Sequence, residues 1–356
     1  MFSRLSLSCV LSVALLAGCA PNSATSTTAT PDAKPSPPVI VATGRQPPSA
    51  ATPGDTTAIR ERGSIAVPLS DMTSGDRYKG EDGGLYGKGL NVPPPVHRDA
   101  ALRELAMIRP LDEQGKPSPG GKVVLISIGM SNTTQEFSAF KSLAEADHER
   151  SPDLYIVDGA QGGQTARIWA TREEPWNVLL QRLQKAGITP EQVQVVWVKQ
   201  ANAQPREPFP AAARELQDQL ATIMRLSRVR FPNVRVAYLS SRIYAGYATT
   251  TLNPEPHAFE SAFSVRWLIQ EQIGGGPDLN YDPDAGRGAS PLLLWGPYLW
   301  ADGLNPRSDG LTWGRSELSP ADGTHPSDTG RRKVARILLD FFKTYDLARP
   351  WFVRSP

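Results

Sequence analysis

The chain has 356 residues, 40% of them hydrophobic and 21% charged, which is enough material for one large domain or two small ones after flanking segments are set aside. Its 38 Lys and Arg against 36 Asp and Glu leave a net charge of +2, and no run of like charge is long enough to mark a nucleic-acid or anionic-membrane footprint. Nucleic acid is therefore excluded as a partner, and neutral or small partners are favoured.

The elements begin with MFSRLSLSCVLSVALLAGCA, where Arg4 supplies a short positive region and Leu5 to Ala17 an apolar stretch too short to span a membrane as a mature helix. Leu16-Ala17-Gly18-Cys19 resembles a bacterial lipobox. That resemblance implies cleavage after residue 18 and a diacylglycerol, with palmitate, on Cys19. It leaves no cysteine for a disulfide or metal site, and with Ala20 next it implies the outer membrane as destination. From 19 to 63 the sequence is dominated by Pro, Ser, Thr and Ala, and such a composition cannot offset its ordering entropy, so a flexible tether is expected. Residues 64–120 are Gly-, Pro- and Tyr-rich but contain the helical patch AALRELAMI, which reads as an irregular extension packed on a main domain over 121–356.

Within that domain, continuous apolar runs alternate with amphipathic stretches. KVVLISI, LYIV, VQVVWV, VRVAYLS and PLLLWG read as strands buried on both faces, since a half-exposed strand would alternate. Between them, stretches such as AAARELQDQLATIMRLSRV carry apolar residues at helical spacing, and a last helix is expected after His325. The pattern predicts an α/β fold, an open five-stranded parallel sheet sandwiched between helix layers, with ligands at the carboxyl ends of the strands.

Four loops at or beside those ends carry reactive or ligand-approaching residues. Gly129-Met130-Ser131 follows the first run, placing Ser131 on a turn into a helix, either as a nucleophile or as an ordinary cap. Gly162-Gly163 follows the second, suited to an inward-pointing amide or to a tight turn. Asn202 follows the third, as a donor or an Asx turn. ADGTHPSDTG puts Asp322 three residues before His325, so a carboxylate can reach one ring nitrogen while the other faces outward as a base, and Ser327 or Asp328 is placed to cap the last helix. The other histidines, His97, His148 and His257, show no metal-ligand spacing.

In this order the four stations resemble the SGNH hydrolase superfamily, the GDSL-like esterases and lipases, over residues 122 to about 345. The resemblance implies a flavodoxin-like three-layer sandwich and hydrolysis of a carboxylic ester without metal or organic cofactor. Ser131, Asp322 and His325 would form the catalytic triad, and Ser131, Gly163 and Asn202 the oxyanion hole. Two departures stand out: Gly-Met-Ser replaces the usual Gly-Asp-Ser, and Gln-Ala-Asn-Ala replaces Gly-x-Asn-Asp. No Gly-x-Ser-x-Gly elbow is present, which counts against a conventional α/β-hydrolase. Trp295, Tyr298 and Trp300 after the fifth run, and Arg242 and Tyr244 after the fourth, are expected either to line a substrate pocket or to pack long loops. A small-molecule or glycan ester, such as an O-acetyl group, is the expected substrate, and the alternative is a non-catalytic glycan-binding or scaffold lipoprotein on the same fold. Nothing in the sequence sets an oligomeric state.

Overall fold

In a computed structural model, residues 66–354 apart from 283, 285 and 287 are described. The expectations for residues 1 to 65, namely the signal peptide, Cys19 and the tether, lie outside the described residues. Five strands form one sheet in the order β2-β1-β3-β4-β5. They are β1 (Val123–Gly129), β2 (Leu154–Val157), β3 (Val193–Lys199), β4 (Val236–Ser240) and β5 (Leu292–Trp295), and every neighbouring pair is parallel. This is the flavodoxin-like order, in which the chain reverses its direction of progress across the sheet at β1 and β3 and opens a crevice between their carboxyl ends.

The uninterrupted apolar runs are explained by what covers each face. Val124, Ile126, Ile128, Val196, Val198, Ala237, Leu239 and Leu293 point to one side, against α3 (Ala166–Thr171), α4 (Glu174–Lys185), α5 (Ala211–Arg230) and α6 (His257–Ile273). Val123, Leu125, Val195, Trp197, Val236, Tyr238, Leu292 and Leu294 point to the other, against α1 (Pro95–Ala106), α2 (Ser131–Ala146), α7 (Asp328–Thr344) and α8 (Arg349–Phe352). Successive residues of a strand face opposite sides, so two cores require both parities to be apolar. The expected three-layer α/β sandwich is therefore the observed architecture.

Residues 66–122 contain a single helix, α1, and otherwise turns, of which 109–115 bond Thr189, Gln192, Gln194 and Asn233 around the start of β3. Leu69, Met72 and Tyr86 enter the core, and Arg266 of α6 is paired with both Glu81 and Asp82 of this segment. Gly84, with φ of +87°, brings its backbone so close to Leu90 that a Cβ would sit 2.3 Å from the Leu90 amide nitrogen. His97 of α1 is buried and its Nε2 donates to Leu293 O at 2.7 Å, tying α1 to β5. That bond fixes the Nε2–H tautomer of a neutral ring. Burial holds the His97 imidazole below its ordinary value of 6.5, against the opposing effect of its hydrogen bond.

Candidate active site

The first station is built by the end of β1. Met130 is extended, with φ of −105° and ψ of −163°, and Ser131 is the first residue of α2. At that position the serine amide has no carbonyl behind it in the helix, so its N–H points outward with the positive end of the helix. The turn is tight: a Cβ on Gly129 would lie 2.4 Å from the Thr133 side chain, whose hydroxyl donates to Lys199 O at the end of β3 at 2.7 Å. Ser131 Oγ is thus held at the crevice between β1 and β3.

The loop before α7 meets it there. Ser131 Oγ lies 2.8 Å from His325 Nε2, and His325 Nδ1 lies 2.5 Å from Asp322 Oδ2. The other carboxylate oxygen of Asp322 accepts from the amides of Thr324 at 2.9 Å and His325 at 3.0 Å. Partial burial pushes the Asp322 carboxyl upward, but these amides and the imidazole outweigh it and hold it below the ordinary 3.8. An ionised Asp322 on Nδ1–H leaves Nε2 as the acceptor facing the serine hydroxyl. The three side chains are half-buried, with those of His325 and Asp322 24% and 22% exposed, so the pair remains within reach of a ligand.

Three further contacts fix this loop, and none was foreseen from the sequence. Asn132, 1% exposed, donates from Nδ2 to Thr324 O at 3.0 Å, linking the residue after Ser131 to the residue before His325. Thr249 N donates to Asp322 O at 2.9 Å. Gly323 has φ of +62°, and a Cβ there would sit 1.9 Å from Tyr247 O, so only glycine lets the loop lean on the 241–256 segment. Asn132 was at least visible as a polar residue in a helix first turn with no need for it there; the other two contacts depend on residues some seventy positions apart. Ser327, one of the two expected caps, closes the N-terminus of α7, its Oγ accepting from Gly330 N at 3.3 Å.

Gly163 takes φ of +77°, is exposed, and has open space where a Cβ would be. Asn202 is half-buried in the loop after β3, where the neighbouring Ala201 O accepts from Ala166 N at the start of α3 at 3.1 Å. Its Oδ1 accepts from Arg167 N at 3.2 Å and its Nδ2 donates to Gln219 Oε1 at 2.7 Å, while Asn253 donates to its backbone oxygen at 2.9 Å. One of the two Nδ2 hydrogens is therefore committed to α5, and one remains.

The aromatic expectation needs correction. Trp295, Tyr298 and Trp300 are 3%, 5% and 1% exposed and sit in the core rather than around a pocket. Trp295 Nε1 donates to Leu85 O at 2.6 Å, Tyr298 Oη accepts from Leu69 N at 3.1 Å, and Trp300 Nε1 donates to Glu255 Oε1 at 2.8 Å. The physical reason is the 66–122 segment, which covers this end of the sheet and supplies partners for two of the three polar atoms. Arg242 is likewise buried, 1% exposed, instead of lining a pocket. Of the five, Tyr244 alone stays half-buried, in an edge-to-face contact with Tyr247 at 5.2 Å, its phenol pushed upward by burial and by Asp302. Glu255, which sequence reasoning passed over, anchors this segment: one carboxylate oxygen accepts from Ala245 N and Trp300, the other from Phe259 N in the first turn of α6.

No family model matches the sequence, and no curated protein matches it. Solved structures do resemble the chain in fold. One is a carbohydrate esterase family 3 protein from Talaromyces cellulolyticus, 14% identical over 61% of this chain and 94% of that one, with a TM-score of 0.38. A GDSL-like lipase from Bacteroides thetaiotaomicron is 13% identical over 68% and 95% of the two chains, with a TM-score of 0.36. An acetyl esterase mutant solved with acetate ion is 13% identical over 61% and 94%, with a TM-score of 0.37.

Proposed function

We propose that the protein is a serine esterase that hydrolyses carboxylic esters through an acyl-enzyme on Ser131. The reading rests on one observation above the others, the continuous hydrogen-bonded line from Ser131 Oγ to His325 Nε2 and from His325 Nδ1 to Asp322. In the first half-reaction His325 takes the serine proton as Oγ adds to the ester carbonyl, and the imidazolium then protonates the leaving alcohol. Asp322 keeps the ring in the productive tautomer and balances its charge. The developing oxyanion is received by the amides of Ser131 and Gly163 and by the remaining Nδ2 hydrogen of Asn202, each donor contributing about 3 kcal/mol in sites of this kind. Water repeats the cycle and releases the acid, and no cofactor takes part in any step.

The exposure of the edge supports a substrate reading. Ser131 and His325 are half-exposed, Gly162 and Gly163 are exposed, Tyr247 meets the histidine loop at Gly323, and the bulky aromatics are withdrawn into the core. An open edge of this kind favours a small acyl group presented on a larger molecule, and an O-acetyl group on a glycan is the substrate we propose. A lipid on Cys19 would then hold the enzyme at the outer membrane of the cell envelope, with residues 19–63 as a tether. Hydrolysis of p-nitrophenyl acetate by the native protein and by Ser131→Ala tests the chemistry: loss in the variant is expected, and equal rates would overturn the reading. Radiolabelled globomycin-sensitive lipidation of the full chain, lost in Cys19→Ala, tests the anchor; an unlipidated native chain would overturn that part.

A further inference from the structure

Beneath the turn that carries Ser131 lies a set of buried charges that the hydrolytic steps do not use. Lys199 at the end of β3 and Glu136 of α2 form an ion pair between side chains that are both fully buried. Arg242, just past β4, is 1% exposed and has no ion-pair partner among the described residues. Its backbone amide donates to Ser261 Oγ at 3.1 Å, and its Nη1 approaches Met130 Sδ at 4.0 Å. Its Nε and Nη2 are buried without hydrogen-bond partners, and so is Glu136 Oε1. A desolvated guanidinium is costly unless the local field favours it. Here the field comes from Glu136, Glu255 and Asp322, which oppose the downward pull of burial on Arg242.

The placement of this set is what gives it meaning. Met130 is the residue before the nucleophile, and Glu136 stands on the same helix as Ser131, close enough for His325 to act on its charge. Burial pushes the Glu136 carboxyl up and the Lys199 amine down to about 8, each resisted by the other's charge. Asp322 and Glu136 act on His325 directly, Lys199 of β3 is paired with Glu136, Arg242 after β4 acts on Glu136 and Asp322 and on Glu255 before α6, and Tyr247 meets the histidine loop at Gly323. Two cations face two carboxylates behind the triad.

We infer that Glu136, Lys199 and Arg242, one buried carboxylate against two buried cations, form a positioning device for the reaction, fixing the Gly129-Met130-Ser131 turn while their opposite signs act against each other on the imidazolium that forms at His325. The inference rests on the esterase reading. Arg242 and Glu136 touch no reacting atom; they work through Met130, α2 and the electrostatic field. Removing the negative member leaves two cations facing the imidazolium, so the base stays neutral to lower pH. Removing Arg242 does the reverse.

The test is the pH dependence of kcat/KM for p-nitrophenyl acetate, measured with native protein, Ser131→Ala, Glu136→Gln, Arg242→Gln and Arg242→Lys. The acid limb should move to lower pH in Glu136→Gln and to higher pH in Arg242→Gln, by roughly half a pH unit each. Plateau kcat should fall about 10- to 100-fold in both. Arg242→Lys, which keeps the cation, should restore the native limb. If Arg242→Gln does not fold, the downward shift in Glu136→Gln together with the native limb in Arg242→Lys still decides the matter. Ser131-dependent hydrolysis whose acid limb is the same in all variants would overturn the inference alone. Absence of Ser131-dependent hydrolysis in the native protein would overturn the esterase reading and the inference with it.

Discussion

Two regions at the carboxyl edge of the sheet carry the most conspicuous residues of the sequence, and they behave in opposite ways. The crevice between β1 and β3 holds Ser131 and His325 half-exposed in a defined hydrogen-bonded line. The far end, after β5, holds Trp295, Tyr298 and Trp300, all withdrawn into the core with their polar atoms satisfied by the chain. Position at a strand end is thus insufficient to make a residue part of a site. What separates the two regions is cover: Leu69 and Leu85 bond and pack at the β5 end, whereas Ser131 and His325 at the switch point between β1 and β3 stay half-exposed.

The comparison can be broken by exchanging the kind of damage done to each region. At the crevice, Ser131→Ala should reduce kcat by roughly 10⁶-fold while leaving the unfolding free energy within about 0.5 kcal/mol of native. A large loss of stability in that variant would mean the serine is structural. Asp322→Asn should cost about 10⁴-fold in kcat, because the amide favours the wrong tautomer of His325. A kcat within tenfold of native would show that the carboxylate does not orient the ring.

At the far end the sign of the experiment reverses. Trp300→Ala should lower stability by about 3–5 kcal/mol, by opening a cavity and stripping Glu255 of a partner. Its kcat per folded molecule, from active-site titration, should stay near native; a selective rise in KM with unchanged stability would return Trp300 to the pocket. The smallest effect concerns His97. Its folded form resists protonation, so the unfolded chain binds more protons below pH 6.5 and stability falls as the pH drops from there toward the lower value in the folded state. His97→Gln should flatten that acid slope in urea denaturation between pH 6.5 and 5; an unchanged slope would place its cause elsewhere.

The sequence made the sheet legible because a strand covered on both faces cannot hide its apolar run, and LYIV was found residue for residue as β2. The candidate triad was legible for a different reason. Asp322 and His325 are three residues apart in a loop, so half of the arrangement is local, and Ser131 stands directly after a strand. The aromatics were ambiguous because apolar surface serves a pocket and a core equally well, and the choice was made by Leu69 and Leu85, more than two hundred residues upstream. Arg242 was ambiguous for the same reason. Its burial is decided by Met130, Ser261 and the acidic residues around it, none of them adjacent in sequence.

The most direct measurement is peptide mass mapping of the protein quenched during turnover of p-nitrophenyl acetate. The account predicts the added mass of one acetyl group on the peptide containing Ser131, accumulating in the native protein and absent from Ser131→Ala. Turnover that continues undiminished in Ser131→Ala, with no acyl group on Ser131 in the native protein, would contradict it.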